Sequence, residues 1–310
     1  MIALGFDTSN YTTSIAAHDG AAPINCSQLL DVQPGQLGLR QSDALFAHIK
    51  RLPALADRLF AHLDTGDIAA IGVSTRPRAV EGSYMPCFLA GSSQAALLAR
   101  ALGVPLYEFS HQQGHIAAAL WSAGRMDLLH QRHLAWHLSG GTTELLLVEN
   151  QAGALTAQKL GGTTDISAGQ LIDRTGKLLS LPFPAGKALD KLAAESDSRD
   201  AFRVRCHGAE FSLSGVENQV QQYFAKTGDG PATARFALRS IIGAIEHATA
   251  AALAEHPGLP VVFSGGVASN SLLRGETLPF AAVFAAPEYS TDNAMGIALL
   301  AWLRRRSHGA

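Results

Sequence analysis

Two apolar runs meet at a glycine-rich turn in the segment Leu134-Ala-Trp-His-Leu-Ser-Gly-Gly-Thr-Thr-Glu-Leu-Leu-Leu-Val148. This pattern predicts a β-hairpin with its turn at Ser139-Gly-Gly-Thr-Thr143. Glycine permits positive φ angles and a close approach of the backbone to a ligand, while hydroxyl and free N–H groups favour an anion such as phosphate. An ordinary surface hairpin has the same pattern, so the turn by itself leaves both interpretations open.

A similar ribbon lies near the N-terminus, where a strand, an Asp-Thr-Ser-Asn turn and a second strand follow one another in Ile2–Ala17. A third glycine turn, Ser264-Gly-Gly-Val-Ala-Ser-Asn270, follows another apolar strand. Repeated ribbons predict a duplicated α/β domain. Two hairpin turns that hold phosphates from opposite sides are the arrangement of the actin, sugar-kinase and chaperone-ATPase fold. We therefore expect two lobes, residues 1–130 and 131–310, around a nucleotide cleft.

The composition indicates an ordinary globular protein. The chain has 310 residues, of which 47% are hydrophobic and 16% charged, enough for two domains with cores. We expect a cytoplasmic protein without a membrane segment, because no apolar run approaches about 20 residues and Asp7 interrupts the N-terminal one. Cys26, Cys87 and Cys206 lack the spacing of a disulfide framework or a zinc knuckle. The net charge of −2 gives the chain no overall positive charge of the kind that indicates binding to the phosphates of a nucleic acid.

Two histidines four residues apart open a predicted helix, in the segment Ser110-His-Gln-Gln-Gly-His115. Ser110 is a plausible N-cap, and residues four apart share a helix face, so both imidazoles can point at one metal ion. The alternative is that one histidine caps the helix and the other packs in the core. A zinc peptidase is disfavoured, because Gln112 stands where that motif has its general-base glutamate.

Two later segments combine polar groups with apolar patterns. Gly161–Leu179 predicts a glycine turn followed by an amphipathic helix, with Asp165 as its cap and Asp173 two turns in. Phe211–Val216 predicts a strand with polar side chains exposed on one face, which a plain edge strand would also show.

The last predicted helix follows Ser290-Thr-Asp-Asn-Ala294. Thr291 or Asp292 can cap it, and an aspartate at that end also complements the helix dipole. Asp292 is at the same time a candidate third metal ligand beside the two histidines. The helix closes with Arg304-Arg305-Arg306, cations that favour a helix C-terminus and can also contact RNA.

In chain order, these motifs resemble the TsaD/Gcp family, transferases of tRNA modification formerly classed as glycoproteases. The resemblance covers nearly the whole chain, and the series is specific although each motif is short. The matching segments are His111-Gln-Gln-Gly-His115, Ser139-Gly-Gly-Thr-Thr-Glu-Leu145, Phe211-Ser-Leu-Ser-Gly215, Ser264-Gly-Gly-Val-Ala-Ser-Asn270 and Ser290-Thr-Asp-Asn-Ala294.

The resemblance implies a cofactor, a nucleotide and their contacts. One divalent metal, iron or zinc, would be held by His111, His115 and Asp292 with positions open for a substrate oxygen. The implied contacts of an ATP- or AMP-type nucleotide are Ser139, Gly140 and Gly141, with Asp173 and Gly186 near the ribose and Asn270 near the base or ribose. The hydroxyl residues that would contact phosphate are Thr8, Ser9 and Thr142. No side chain is assigned as a catalytic acid or base.

The activity implied is transfer of a threonylcarbamoyl group from threonylcarbamoyl-AMP to an adenosine amine in tRNA. The metal would orient the donor and stabilise charge on the carbamoyl oxygen. The implied partners are the adenylate, tRNA and a smaller related subunit.

The chain departs from the family pattern at four places. No acidic pair stands at Asn10–Thr12, Gln113 replaces a glutamate, Thr142 replaces a histidine, and Arg76–Arg78 replaces a Gly-Pro-Gly loop. Two alternatives therefore stay open. One is a non-catalytic, nucleotide-binding paralogue that partners a true transferase. The other is a small-molecule kinase of the same fold, with Asp7 as its base.

Overall fold

The computed structural model describes residues 1–9, 11–31, 39–151, 154–275, 278–290 and 294–308. Its strands are β1 (Ile2–Asp7), β2 (Thr12–His18), β3 (Pro23–Leu29), β4 (Ile68–Arg76), β5 (Leu106–Ser110), β6 (His133–Leu138), β7 (Thr143–Gln151), β8 (Ala154–Thr163), β9 (Cys206–His207), β10 (Glu210–Phe211), β11 (Val261–Ser264) and β12 (Ala282–Phe284). Its α-helices are α1 (Gln41–Phe60), α2 (Phe88–Leu102), α3 (His111–Ser122), α4 (Ala168–Leu178), α5 (Gly186–Ala193), α6 (Ser214–Thr227), α7 (Gly230–Glu255), α8 (Ser271–Gly275) and α9 (Met295–Ser307).

The chain forms two compact units. The first contains Met1–Met126 together with Asp292–Ala310, and the second contains Asp127–Thr291. This division differs from the boundary after residue 130 that the sequence suggests, because the C-terminal helix α9 packs on β1, β4 and α3 of the first unit. The buried strands of a mixed sheet need helices on both faces, and here a distant part of the chain supplies one of them.

The two sheets share one topology. The first has the strand order β3-β2-β1-β4-β5, and the second contains the order β8-β7-β6-β11-β12 with β10 and β9 added beyond β8. In each of these five-strand orders, the first three strands pair antiparallel to one another, and the last two run parallel to the third, central strand. The predicted duplicated α/β fold is confirmed, as are both hairpins, β1–β2 and β6–β7.

The long helix α7 belongs to the core of the second unit. It is long and apolar enough to cross a membrane by length and composition alone, but such a helix is also typical of a protein core. Its buried side chains join one cluster with β6 and β11. Within that cluster the indole N–H of Trp136 donates to the Thr249 hydroxyl at 2.9 Å, which satisfies a polar group that would be costly to bury alone.

Two sequence predictions in the second unit are wrong. Phe211–Val216 is not a strand, because β10 ends at Phe211 and α6 begins at Ser214, with Leu213 and Val216 buried at the start of the helix. The Gly161–Gly162 pair is not a turn but the end of β8. Neighbouring backbone approaches the pair on both sides: a Cβ at residue 161 would lie 2.3 Å from the Ala209 oxygen, and one at residue 162 would lie 2.2 Å from the Thr143 oxygen. Packing therefore requires glycine at both positions.

Candidate functional site

The two predicted metal-binding histidines lie one turn apart at the start of α3. Ser110 is the N-cap, as predicted: its hydroxyl accepts from the Gln113 N–H at 3.2 Å, and its own N–H donates to the Gln113 side chain at 2.7 Å. This reciprocal pair is a capping box, which accepts glutamine or glutamate at the third helical position. The His111 and His115 Nε2 atoms are 2.9 Å apart, so the structure brings the two imidazoles together.

A buried carboxylate at the end of β1 orients this pair. The Asp7 Oδ2 lies 2.6 Å from His111 Nδ1, and its Oδ1 accepts from the Ser9 N–H at 2.8 Å. The Asp7 side chain is 2% exposed, and a carboxylate accepts but does not donate. His111 Nδ1 therefore carries the proton, which leaves the Nε2 lone pair directed towards His115.

The donor set suits a divalent metal. The Nε2 atoms of His111 and His115, 2.9 Å apart, are the nitrogen donors that would hold one divalent metal ion. Asp292, the third expected ligand, lies outside the described residues, and the described part of the chain contains no group of three metal-ligating side chains. Two imidazoles backed by a carboxylate hydrogen bond are typical of iron and zinc sites.

The helix that follows Asp292 packs tightly against the histidine helix. A Cβ on Gly296 of α9 would lie 1.9 Å from the backbone oxygen of Gly114 in α3. Only a residue without a side chain fits this crossing. The close packing fixes the start of α9 beside the helix that carries His111 and His115.

The predicted phosphate residues of the N-terminal turn, Thr8 and Ser9, are buried within the first unit. The Thr8 hydroxyl donates to the Cys87 carbonyl at 3.0 Å and accepts from the Gly91 N–H at 3.1 Å, and the residue is 0% exposed. Ser9 is buried as well, at 4%. Thr8 therefore ties β1 to α2, and its side chain does not face solvent.

In the second unit, the glycine turn rests on the N-terminus of α4. The Ser139 N–H donates to the Thr142 carbonyl at 2.8 Å, and the Thr142 N–H donates to the Ser139 hydroxyl at 3.1 Å, which closes the turn. A Cβ on Gly169 would lie 2.5 Å from the Gly140 Cα, so helix and turn are in direct backbone contact. Gly140 and Gly141 have open space at the position of a side chain. A helix N-terminus with a glycine turn is suited to an anion.

Ser167, not Asp165, caps α4. The Ser167 hydroxyl accepts from the Gln170 N–H at 3.0 Å, and the Gln170 side chain accepts from the Ser167 N–H at 3.0 Å. The same hydroxyl donates to the Gly140 carbonyl at 2.6 Å. Asp165 lies two residues earlier and bonds elsewhere, so the predicted cap was misplaced. The Ser-x-x-Gln pattern of a capping box was present in the sequence.

The two residues expected near the ribose lie where α4 packs against α5. The Asp173 Oδ1 accepts from the Ala185 N–H at 2.8 Å. Burial raises the pKa of the Asp173 carboxyl, and the Ala185 N–H partly opposes that shift. Gly186 is the first residue of α5 and has open space where a side chain would lie.

Asn270 is held by a residue that the sequence did not single out. Its amide Nδ2 donates to Asp190 Oδ1 at 2.7 Å, and its Oδ1 accepts from the Leu273 N–H at 3.0 Å. Asp190 also accepts from the Ser271 N–H and hydroxyl, each at 2.9 Å. The sequence carries no local signal for this role, because Asp190 and Asn270 are 80 residues apart in the chain.

Comparison with known proteins identifies relatives along the whole chain. The family described as TsaD, tRNA N6-adenosine threonylcarbamoyltransferase, matches residues 33–299. The protein of that name from Granulibacter bethesdensis is 32% identical over 99% of this chain and 89% of its own length. Its counterpart from Carboxydothermus hydrogenoformans is 29% identical over 98% of this chain and 92% of its own.

A solved structure shows the same fold at low sequence identity. Full-length HypF in its phosphate- and nucleotide-bound form superposes with a TM-score of 0.62 and 14% identity. The alignment covers 100% of this chain and 47% of that chain, so this chain spans about half the length of HypF. At this identity the likeness concerns the fold alone. The family match, in contrast, covers most of the sequence, and the chain belongs to the TsaD family of tRNA N6-adenosine threonylcarbamoyltransferases.

Proposed function

We propose that this protein transfers a threonylcarbamoyl group from threonylcarbamoyl-AMP to an adenosine amine in tRNA, with one divalent metal, iron or zinc, held by His111, His115 and Asp292. Family membership supports the reaction class. The observation that carries the metal-dependent form is the His111–His115 pair, with its nitrogen atoms 2.9 Å apart and one ring fixed by the buried Asp7. The protein would act in the cytoplasm, with a smaller related subunit as partner.

The glycine turn supports binding of the adenylate. The backbone of Ser139–Gly141, next to the N-terminus of α4, offers a partial positive charge to the phosphate of the donor. Asp173 and Gly186 would contact the ribose, and Asn270, held by Asp190, would contact the base or ribose. Thr142 contributes its backbone to the turn, so a threonine in place of histidine leaves the turn intact.

The chain's own residues orient the reactants in this proposal. The adenosine amine forms the new C–N bond, the bond from the carbamoyl carbon to the AMP phosphate oxygen breaks, and the amine releases one proton to solvent water. The turn and the α4 N-terminus stabilise the negative charge that remains on AMP. Asp7 holds His111 in the tautomer that ligates. When bound, the metal supplies Lewis-acid stabilisation of the carbamoyl oxygen.

A second candidate function is a nucleotide-binding paralogue that does not turn over. Tyr11 and Thr12 stand where the family has its acidic pair, and this observation favours it. The kinase alternative is less well supported, because both oxygens of Asp7 are engaged by His111 and Ser9.

The deciding experiment measures threonylcarbamoyl incorporation into tRNA together with the metal content of the same preparations. We expect the unaltered protein to incorporate the group and to contain near-stoichiometric metal, and His111→Ala to lose both. Normal transfer by a metal-free His111→Ala protein would exclude the metal role. Adenylate binding without transfer, even with the smaller subunit present, would favour the non-catalytic paralogue.

A further inference from the structure

The Phe211-Ser-Leu-Ser-Gly215 motif has no part in the proposed chemistry. In the structure it is the junction between β10 and α6. Leu213 and Val216 are buried there, whereas the hydroxyl residues Ser212 and Ser214 are exposed. The polar half of the motif therefore has a role other than packing.

The carboxylate of Asp165 accepts hydrogen bonds from the polar groups of this motif. Its Oδ1 accepts from the Leu213 N–H and the Ile166 N–H, each at 2.8 Å. Its Oδ2 accepts from the Ser212 hydroxyl and from the Ser214 N–H, the latter at 3.2 Å. Partial burial works to raise the pKa of Asp165, but these hydrogen bonds outweigh it and hold that pKa well below its ordinary value. The carboxylate is thus charged throughout the working pH range, and it fixes the start of α6 to the loop before α4.

The same loop also holds the glycine turn. Two residues after Asp165, the Ser167 hydroxyl donates to the Gly140 carbonyl at 2.6 Å, and the next N–H, of Ala168, donates to the Thr143 hydroxyl at 2.8 Å. One short segment is therefore bonded at one end to the motif and at the other end to the turn. A shift at Asp165 moves the cap of α4, and with it the backbone groups on which the turn rests.

We propose that Asp165 and the Phe211–Gly215 motif form a positioning element that fixes the Ser139–Thr143 turn for adenylate binding. This inference rests on the proposed function, because it assumes that the turn binds the adenylate. Asp165 touches neither reacting group in the proposal. It acts through Ser167, and its contribution is to adenylate affinity.

The second unit offers a matched control. Arg174 of α4 and Glu217 of α6 form a salt bridge at 2.6 Å, which joins the same two helices away from the cap and the turn. If connecting α4 to α6 were sufficient, Arg174→Ala and Asp165→Asn would affect the protein alike. If the position of the cap matters, only Asp165→Asn weakens adenylate binding.

The experiment is a calorimetric titration of the full chain with AMP. Thermal unfolding is measured on the same variants to detect a loss of stability, and metal content is measured to check that the first unit is unchanged. Asn has nearly the shape of Asp, but its NH₂ group opposes the donors on one side of the carboxylate. We expect Asp165→Asn to bind AMP about tenfold more weakly, with metal content unchanged and Arg174→Ala indistinguishable from the unaltered protein. Ser212→Ala, which removes an exposed hydroxyl, should weaken binding in the same direction.

The combined variant distinguishes positioning from general destabilisation. Because Ser212 acts through Asp165, the variant with both changes should lose no more AMP affinity than Asp165→Asn alone. If Asp165→Asn has a lower unfolding temperature but binds AMP as tightly as the unaltered protein, the inference is overturned. If Asp165→Asn does not fold, unchanged affinity in Ser212→Ala does the same. Absence of AMP binding by the unaltered protein would overturn the proposed function and this inference together, whereas AMP binding that both variants retain overturns only the inference.

Discussion

Replacing Asp7 by asparagine should weaken metal binding without removing a ligand. The Asp7 carboxylate accepts from His111 at 2.6 Å and from the Ser9 N–H at 2.8 Å. Asparagine has one acceptor oxygen, so either orientation of its amide leaves one of these donors facing an NH₂ group. If that group faces His111, the imidazole must place its proton on Nε2, which is the atom needed for the metal.

The size of the effect follows from the role of such outer carboxylates. Changing a hydrogen-bond partner of a ligating histidine typically lowers metal affinity about tenfold to a hundredfold, which corresponds to about 1.4 to 2.8 kcal/mol. We expect Asp7→Asn to fall in this range for Zn²⁺ in a competition titration with a chromophoric chelator. His111→Ala, which removes a ligand, should lose more.

The control for this prediction is Asp173→Asn. Like Asp7, Asp173 accepts a hydrogen bond from a backbone N–H, but it is only partly buried and lies in the second unit. Its zinc affinity should equal that of the unaltered protein. If Asp7→Asn binds zinc within about twofold of the unaltered protein while remaining folded, the orienting role assigned to Asp7 is wrong.

Three further predictions concern local structure. Gln113→Glu should leave the unfolding temperature and metal content unchanged, since a capping box accepts either side chain; a marked change in metal content would give this position a role in the site. Gly296→Ala should lower the free energy of unfolding by about 1–3 kcal/mol in urea titrations, because its Cβ would lie 1.9 Å from the Gly114 oxygen; an unchanged midpoint would mean that the α3–α9 crossing relaxes freely. Burial lowers the pKa of His18 and of His133 in the folded protein. Below the ordinary imidazole pKa of about 6.5, both histidines therefore take up protons more readily in the unfolded chain than in the folded one. The free energy of unfolding is unaffected by them above that pH and decreases as the pH falls below it. His133→Gln should reduce this loss between about pH 7 and pH 5 in urea titrations, and an equal loss in both proteins would count against it.

The elements that depend on local pattern could be predicted from the sequence. The hairpins β1–β2 and β6–β7 follow from apolar runs around short polar or glycine turns, and both form. The start of α3 follows from Ser110, whose capping box needs only residues within one turn. Local signals of this kind act between neighbours in the chain, so no knowledge of the tertiary structure is needed to read them.

The misjudged residues depend on partners that are distant in the chain. Asp165 resembles a cap by its position, but its partners Ser212 and Ser214 lie more than forty residues away. Asp190 bonds to Asn270 across a separation of 80 residues, and Asp7 to His111 across 104. Each is an aspartate whose role is set by tertiary contact. Propensity and spacing carry no information about such contacts, which is why these roles were missed or misassigned.

The four departures from the family pattern do not weigh equally on the choice between transferase and binding paralogue. Gln113 is explained by the capping box, and Thr142 by the backbone bonds that close its turn. The Arg76–Arg78 loop still serves the histidine helix, because the Pro77 carbonyl accepts from the Gln112 N–H at 3.1 Å. The N-terminal turn has no such compensation: Thr12 is buried at 8% exposure, and neither it nor Tyr11 supplies a carboxylate. The two histidines of α3 and the Ser139–Thr143 turn can therefore be in place while the acidic pair of the family pattern is absent. Measured transfer of the threonylcarbamoyl group would show that the reaction does not need the acidic pair. Adenylate binding without transfer would favour the binding paralogue.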